Sequence, residues 1–235
     1  MKTAVITGTS QRLGLYLCEQ FTRIGWRVIA ITRNASERLR ELEGPAFQIH
    51  EIGEYTQLSV DRVTQKILAT HTSVDLLLNN ASIFKNDAHI TGESIISYDD
   101  LIFIHMTMPA LLMNALQPSL SEAKGNIISI TDIYSDNPNP EFSLYCSTKA
   151  GLKSLTLSAA KKWAPQIRAN CIQPGPLKFL PSHSEAEKDK VIKETLLPFE
   201  GGFDPVFKTV EFIIDNDYLT GQCINVDGGR SLVRG

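Results

Sequence analysis

The chain has 235 residues, of which 43% are hydrophobic and 21% charged, the composition of an ordinary folded protein with one globular unit. Its formal net charge of −3 argues against nucleic acid as a partner, because binding a phosphate backbone takes a basic surface. No signal peptide is evident, and no apolar run approaches the roughly 18 residues of a membrane span. We therefore expect a cytoplasmic protein that does not enter a membrane.

The cysteines share no C-x-x-C or metal-ligand spacing; they are Cys18, Cys146, Cys171 and Cys223. Scattered cysteines of this kind are typical of small apolar core residues in a reducing compartment. We expect neither disulfides nor a metal site.

Short β-branched runs alternate with amphipathic stretches, the pattern of a parallel sheet covered by helices. In chain order the predicted elements are strand 3–7, helix 12–24, strand 27–32, a short helix after Ala35, strand 47–50, helix 56–70, strand 75–78, helix 98–121, strand 126–131, helix 142–164, strand 167–172, a helix within 184–197, helix 205–215 and strand 222–226. The prediction is an α/β fold: a single domain, residues 1–235, with a doubly wound, Rossmann-type, seven-stranded parallel sheet and helices on both faces. Residues 176–203 are predicted to form an irregular, polar segment on the substrate side.

The first strand and the first helix are joined by TGTSQRLG at residues 7–14. Glycine at Gly8 and Gly14 lets the backbone approach a diphosphate, and the free N–H groups at a helix start favour its charge. The stretch does not match G-x-G-x-x-G, and taken alone it fits a tight turn without a ligand equally well. Its position after the first strand of an alternating chain favours a nucleotide.

Arg33 directly follows the second predicted strand, 19 residues beyond Gly14. Enzymes that select NAD normally carry Asp or Glu about 20 residues beyond the glycine turn, to hold the ribose hydroxyls. An arginine there offers fork geometry for a 2′-phosphate, and Arg12 adds a second positive charge. The sequence favours NADP(H), although a solvated surface arginine explains Arg33 nearly as well.

Tyr145 and Lys149 are one helical turn apart and share a face of the helix predicted over 142–164. A nearby ammonium is expected to lower the phenol pKa from about 10 and make tyrosine a competent general acid. An ordinary surface pair would show the same spacing. The pair nevertheless follows the fifth strand, at the edge of the sheet where ligands bind.

At this point the chain resembles the short-chain dehydrogenase/reductase family over nearly its whole length. The resemblance rests on TGTSQRLG (7–14), NNAS (79–82), YCSTK (145–149), PG (174–175) and VDGG (227–230). It implies that the Asn-Asn-Ala segment lies along the cofactor, that the lysine holds the nicotinamide ribose and that the Pro-Gly segment supports the nicotinamide ring. The candidate cofactor-binding residues are Gly8, Arg12, Leu13, Gly14, Arg33, Asn80, Ala81, Ser82, Tyr145, Lys149, Pro174 and Gly175.

Three departures from the family pattern resemble its pteridine reductases and bacterial dihydromonapterin reductases. Asp132 stands thirteen residues before Tyr145, where most members have serine. Arg12 replaces the second glycine of the turn, and Ser82 replaces a glycine, with Phe84 two residues later. The resemblance implies a catalytic set of Asp132, Tyr145 and Lys149, and a substrate site of Arg12, Phe84, Asp132 and Tyr145.

This set suits a dihydropterin, whose C=N bond takes a proton on nitrogen as hydride reaches carbon. A carboxyl group at Asp132 can pass a proton toward Tyr145, whereas serine can only polarise. We expect the three groups to titrate together, with the pKa of Asp132 raised above about 4, and Phe84 to stack on the flat ring. Alternatively, Asp132 is a loop residue bonded to local backbone and Phe84 is a core residue.

His105 lies where many family members have an asparagine that organises a water chain to the lysine. A substitute relay member and a satisfied buried histidine are equally good interpretations of this residue.

The preferred function is NADPH-dependent reduction of dihydropterins, with dihydrofolate a possible weaker substrate. The first alternative is an NADPH-dependent ketone or sugar reductase of the same family, and the second, from another class, is a non-catalytic NADP(H)-binding sensor. The family resemblance further implies a homotetramer.

Overall fold

A computed structural model describes residues 1–89, 97–181 and 183–233. All seven strands join one sheet in the order β3-β2-β1-β4-β5-β6-β7, and each neighbouring pair is parallel. The order reverses beside β1, which pairs with β2 on one side and β4 on the other. The carboxyl edge at such a reversal is where doubly wound sheets bind ligands. The predicted fold class is confirmed.

The strands keep close to their predicted bounds and are β1 (Thr3–Thr7), β2 (Arg27–Thr32), β3 (Phe47–Glu51), β4 (Leu76–Asn79), β5 (Asn126–Ile130), β6 (Arg168–Pro174) and β7 (Cys223–Val226). The helices are α1 (Arg12–Arg23), α2 (Glu37–Arg40), α3 (Gln57–Thr70), α4 (Tyr98–Ile102), α5 (Met108–Glu122), α6 (Ser143–Trp163), α7 (Glu185–Lys193) and α8 (Asp204–Asp215). β6 continues two residues further than predicted and carries Gln173 and Pro174 to the carboxyl edge.

The central strands are buried on both faces, as their unbroken apolar runs predicted. Alternate residues of these central strands enter two separate cores. One core is formed with α1 and α8, and includes Ile6, Leu17, Phe21, Ile128, Phe207 and Val210. The other lies under α3, α5 and α6, and includes Val5, Val63, Leu77, Leu112, Leu116 and Ala160.

The helix predicted over 98–121 is divided by a π-helical turn at Phe103–Thr107, which separates α4 from α5. A reciprocal Ser97/Asp100 capping box starts α4. The whole run Tyr98–Glu122 has the length and composition of a membrane span, contrary to the expectation from the sequence. Its apolar residues on α5 nevertheless pack in the second core, as expected of a helix within a globular fold. The π turn matters because it carries His105.

Among its described residues, the segment 176–203 contains one helix, α7, which is shorter than the range predicted and is capped by Ser184 and Glu187. Residue 182 lies outside the described residues. The end of the segment packs on the C-terminal turn, where Leu197 donates its backbone N–H to the Gly228 carbonyl at 2.9 Å. A Cβ atom at Gly228 would lie 2.8 Å from Thr195. The segment is therefore anchored to the turn that follows β7.

The close packing of the turn between β1 and α1 can be tested by mutation. A Cβ atom at Gly14 would lie 2.0 Å from the Gly8 carbonyl oxygen. Alanine normally stabilises a helix by about 1 kcal/mol relative to glycine, yet we expect Gly14→Ala to destabilise the protein by about 1–3 kcal/mol through overpacking. Gly44 has open space and a negative φ, so Gly44→Ala is the control and should change stability by less than about 1 kcal/mol. Thermal unfolding of both variants measures this; equal effects would contradict the packing described.

Candidate active site

The turn after β1 is held by hydrogen bonds from the segment after β4. The Thr7 hydroxyl accepts the backbone N–H groups of Asn80 and Ala81, each at 3.0 Å. The Asn80 side-chain amide donates to the carbonyl oxygens of Thr7 and Gly8, at 2.9 and 3.1 Å. Gly8 has a φ of +70°, and a Cβ there would lie 2.5 Å from the Ala81 Cα. Asn80 thus shapes the predicted cofactor turn with its side chain.

The N-terminus of α1 suits a negatively charged group. Gln11 at its N-cap makes no side-chain capping bond, and no acidic residue lies in the first turn. Arg12 has a φ of +52°, a left-handed conformation rare outside glycine, at the position where the family has glycine. The buried Thr9 hydroxyl has no hydrogen-bond partner among the described residues. Leu13 is buried behind the turn.

The Arg12 side chain extends toward the substrate-side segment. Its guanidinium donates to the Lys178 carbonyl oxygen and lies 5.9 Å from the Phe203 ring centroid. This position connects the cofactor turn with residues 176–203, and the substrate role of Arg12 stays a prediction.

Arg33 is exposed immediately after β2 and lies 5.3 Å from the Tyr55 ring centroid. Within residues 1–89, 97–181 and 183–233 it forms no ion pair. A guanidinium packed on an aromatic face with no carboxylate partner keeps its hydrogen-bond donors for a ligand.

Asp132 and Tyr145 meet at the carboxyl end of β5. Asp132 is the N-cap of a 3₁₀ turn, Ile133–Ser135, and its Oδ1 accepts the Tyr134 backbone N–H at 2.9 Å. Its other oxygen, Oδ2, accepts the Tyr145 hydroxyl at 2.9 Å. Asp132 does bond local backbone, as the alternative interpretation expects, but with one oxygen only; its other oxygen accepts the Tyr145 hydroxyl.

Lys149 follows one turn later on α6, fully buried, and donates to the Ile130 carbonyl oxygen at 2.9 Å. Its Nζ lies 5.7 Å from the Tyr145 ring centroid. Burial lowers the pKa of Lys149 to about 8, against the opposing attraction of Asp132. The predicted trio of Asp132, Tyr145 and Lys149 is assembled.

The electrostatics of the trio match one prediction and overturn another. Burial raises the pKa of Asp132, although the Tyr134 N–H, Lys149, Tyr145 and Arg230 favour its charge. That direction is the predicted one. The pKa of Tyr145 is raised well above 10, because burial, the charge of Asp132 and the hydrogen bond to Asp132 all favour the neutral phenol. The expectation that Lys149 would lower it is wrong: the ammonium is bonded to a carbonyl and the carboxylate lies closer.

Besides Asp132, Ser82 and His105 also lie beside Tyr145. The Thr148 hydroxyl donates to the Tyr145 carbonyl at 2.8 Å, so His105 Nδ1 must donate to Thr148, also at 2.8 Å. Its Nε2 then accepts the Ile83 N–H at 3.2 Å and lies 2.9 Å from the Ser82 hydroxyl. The Ser82 hydroxyl has one hydrogen, and when it is donated to the Tyr145 oxygen rather than to Nε2 it favours the ionised phenol.

Burial, followed by the charge of Lys149, holds the pKa of His105 well below 6.5. The ring is therefore neutral with both nitrogens satisfied, the simpler of the two interpretations of His105. It holds Ser82 beside the phenol.

Phe84 is 52% exposed and is not a core residue. Its ring stacks on Phe142 at a centroid distance of 4.5 Å and an interplanar angle of 14°, and meets Tyr145 edge-on at 4.9 Å. Phe142 therefore covers one face of Phe84. The sequence did not predict Phe142 as a site residue, although its position one turn before Tyr145 was a signal for it.

Two further residues support Asp132 and were not predicted. The Gln173 side-chain amide donates to the Asp132 carbonyl at 3.2 Å and to Asp136 Oδ2 at 2.9 Å. The charge of Arg230 favours ionised Asp132, while Arg230 itself bonds Val191 and Glu194 of the substrate-side segment. Gln173 could have been found from its place before the Pro-Gly segment, whereas nothing local marks Arg230.

Pro174 ends β6, and Gly175 donates its backbone N–H to the Val226 carbonyl at 3.1 Å. A Cβ at Gly175 would lie 2.8 Å from the Asp227 Cβ, so glycine is needed for the approach of the two chains. The predicted residues that follow the strands, such as Gly8 after β1 and Gly175 after β6, thus lie along the carboxyl edge of the sheet.

Comparison with known proteins agrees with this arrangement. A family model described as short chain dehydrogenase matches residues 2–190. The chain belongs to the short-chain dehydrogenase family, and it is an oxidoreductase with a nicotinamide cofactor.

The chain is 26% identical over 231 residues to a dihydromonapterin reductase of Enterobacter sp. (strain 638), with 97% of this chain and 96% of the relative covered. It is 27% identical over 238 residues to a 3-oxoacyl-[acyl-carrier-protein] reductase of Rickettsia prowazekii (strain Madrid E), with 99% and 98% covered. A solved 4-hydroxyisoleucine dehydrogenase complexed with NADH matches with a TM-score of 0.90 at 21% identity and covers 100% of both chains, which shows the fold.

The raised pKa of Asp132 predicts a pH-dependent stability. A carboxyl whose pKa is raised by folding contributes stability below about pH 4, and loses it as the pH rises through the raised value. The Tm of wild type minus the Tm of Asp132→Asn should therefore fall from pH 4 to pH 8, because only wild type loses stability as the carboxyl ionises.

Asp136→Asn is the control for this measurement. Hydrogen bonds from Lys153 and Gln173 lower the pKa of Asp136, so its contribution is lost only as the pH falls below about 4. Its Tm difference should stay flat between pH 5 and pH 8. The same flat response for Asp132→Asn would contradict the burial of that carboxyl.

Proposed function

We propose that this protein catalyses NADPH-dependent reduction of dihydropterins to tetrahydropterins, with dihydrofolate as a weaker substrate. The observation that carries the proposal is the Tyr145 hydrogen bond to a carboxyl, Asp132, at the position where most of the family has serine. The similarity to a dihydromonapterin reductase over nearly the full chain supports the same substrate class.

The first turn and the carboxyl edge fit the cofactor. The uncapped start of α1, the unpartnered Thr9 hydroxyl and the left-handed Gly8 suit a diphosphate, while Arg33 suits a 2′-phosphate. Ser82, Lys149, Pro174 and Gly175 would line the nicotinamide half, and the cofactor supplies the hydride when bound. Lys149 retains donors beyond its bond to Ile130 for the ribose hydroxyls.

The proton comes from this chain. The Tyr145 phenol is neutral at working pH, and its hydroxyl would donate to the substrate ring. A phenolate would be unstable in this buried place, so the proton must be replaced as it leaves. Burial raises the pKa of Asp132, so its protonated form is more populated than in an exposed carboxyl, and that form can return a proton across the 2.9 Å contact. Reduction of a ring C=N bond needs this donation on nitrogen.

The substrate platform comes from aromatic residues. With Phe142 covering one face of Phe84, the half-exposed ring offers its remaining surface beside Tyr145. Offset stacking of a flat heterocycle there would contribute about 1 kcal/mol beyond burial. Arg12, which contacts Lys178 and Phe203, would close the substrate site from the side of residues 176–203.

Reduction of a ketone is the second candidate, favoured by the similarity to a 3-oxoacyl-[acyl-carrier-protein] reductase. Purified protein with NADPH should oxidise it on addition of a dihydropterin, followed by absorbance at the nicotinamide band. Turnover of 3-oxoacyl thioesters without turnover of dihydropterins would reverse the order of the two candidates.

The variant Asp132→Ala distinguishes an enzyme from a non-catalytic sensor that only binds NADP(H). Loss of the proton source should lower pterin turnover about 10²–10⁴-fold, while the affinity for NADPH, read by fluorescence titration, stays within about twofold. Asp215→Ala, at the end of α8 that leads into β7 and so away from the carboxyl edge, is the control and should keep most turnover. Wild-type turnover in Asp132→Ala would remove Asp132 from the catalytic set.

Arg33→Asp tests the choice of nicotinamide. An acidic residue there should repel a 2′-phosphate and bond the ribose hydroxyls, so the NADPH/NADH ratio of kcat/KM should fall at least tenfold. Arg38→Asp is the control, because Arg38 already pairs with Glu19. An unchanged ratio in Arg33→Asp would place phosphate recognition elsewhere.

As part of this proposal the chain acts as one domain with a small-molecule pterin as its partner, without nucleic acid, membrane or metal. Membership of the family also supports a cytoplasmic homotetramer.

A further inference from the structure

Two cysteines lie directly opposite each other at the edge of the sheet. Cys171 of β6 and Cys223 of β7 are paired residues in the parallel ladder, so both side chains point to the same face. Neighbouring strands are about 4.8 Å apart, within the Cα separation that a disulfide spans. Cys171 is fully buried, whereas Cys223 is partly exposed. One thiol is therefore accessible and the other lies directly behind it.

The charges around the pair differ for the two sulfurs. A hydrogen bond between the thiols raises the pKa of Cys171 and lowers that of Cys223 to about 7. Lys153 of α6 also favours the thiolate of Cys223, while Asp136 opposes it. An accessible thiolate beside a second, protonated thiol is the arrangement of redox-sensing cysteines.

We propose that Cys171 and Cys223 form a peroxide-responsive site, at which Cys223 is oxidised first and Cys171 resolves it to an intramolecular disulfide. The Cys223 thiolate attacks a hydroperoxide, breaks its O–O bond and, with one proton, releases the alcohol or water as a sulfenic acid forms. The Cys171 sulfur then attacks the sulfenic sulfur and releases water. The two sulfurs lose two electrons in total, and the hydroperoxide gains them.

The pair is connected to the active site by side-chain contacts. Lys153, which lies beside both sulfurs, forms an ion pair with Asp136. Asp136 accepts from Gln173, which also donates to the Asp132 carbonyl. A disulfide removes the thiolate that attracts Lys153 and pulls β6 and β7 together two residues before Gln173. Oxidation should therefore disturb the support of Asp132 and lower turnover reversibly.

Intact mass and peptide mapping after treatment with hydrogen peroxide test the site without any assay of activity. Wild type should lose two hydrogens and give a Cys171–Cys223 cross-linked peptide that dithiothreitol reverses. Cys171→Ser should instead accumulate a sulfenic acid at Cys223, trapped by dimedone. Oxidation of Cys18 or Cys146 at the same rate, or a disulfide between two copies of the chain, would overturn the proposal.

Two lysines of α6 give a matched pair of variants. Lys153→Met should slow peroxide oxidation of Cys223 several-fold at pH 7, since less of it is thiolate. Lys161→Met removes a lysine two turns further along the same exposed groove and should leave the rate unchanged. Equal rates in both variants would remove Lys153 from the site.

The coupling to the active site has its own readout. Peroxide should lower turnover of wild type at least several-fold, with recovery on dithiothreitol, and leave Cys223→Ser unaffected. Full turnover of the cross-linked protein would overturn the coupling. The mass measurements stand even if the proposed substrate is wrong, because they need no substrate.

Discussion

A single partly buried hydrogen bond, from the Tyr145 hydroxyl to the Asp132 carboxyl, governs the chemistry of this site. It joins two elements that the sheet brings together, the N-terminal turn of α6 and the 3₁₀ turn after β5. Burial raises the pKa of Tyr145 and the pKa of Asp132, so both groups hold a proton more strongly than they would in water. In water the same pair would be an ordinary phenol and an ordinary carboxylate.

The surrounding residues act on this bond. Lys149 is placed by the Ile130 carbonyl, Gln173 holds the Asp132 backbone, and Ser82 is fixed beside the phenol by a neutral His105. The substrate-side segment is joined to the cofactor turn through Arg12 and to the surroundings of Asp132 through Arg230. The site thus draws on residues that are distant in sequence and meet at the carboxyl edge, where parallel strands end together.

The strands were predictable because each is an apolar, β-branched run bounded by polar residues, so that β1 and β2 keep their predicted limits. The continuous helix over 98–121 was not, since a π turn leaves the apolar periodicity of the surrounding helix intact and has no signal of its own. α7 is shorter than predicted because the following residues bond to the C-terminal turn, as the Leu197 N–H does to Gly228. A long-range contact of that kind cannot be read from a local pattern.

Within the site, residue types and spacing predicted which groups meet but not how each is protonated. Tyr145, Lys149 and Asp132 were identified from their positions on the chain, and the carboxyl at 132 predicted the direction of its own pKa shift. The opposite prediction for Tyr145 failed because it weighed the charge of Lys149 without the burial and the nearer carboxylate. Arg230 and Phe142 were missed since their contacts depend on the turn after β7 and on the path between β5 and α6.

The most direct test of this account follows the Asp132 carboxyl carbon itself by NMR, in protein labelled with carbon-13 at aspartate and assigned with Asp132→Asn. The account predicts a titration midpoint clearly above the ordinary value of about 4, and a second perturbation of the same signal as Lys149 titrates. A midpoint at or below about 4 would mean that Asp132 is a plain carboxylate at neutral pH, and that it cannot be the proton source.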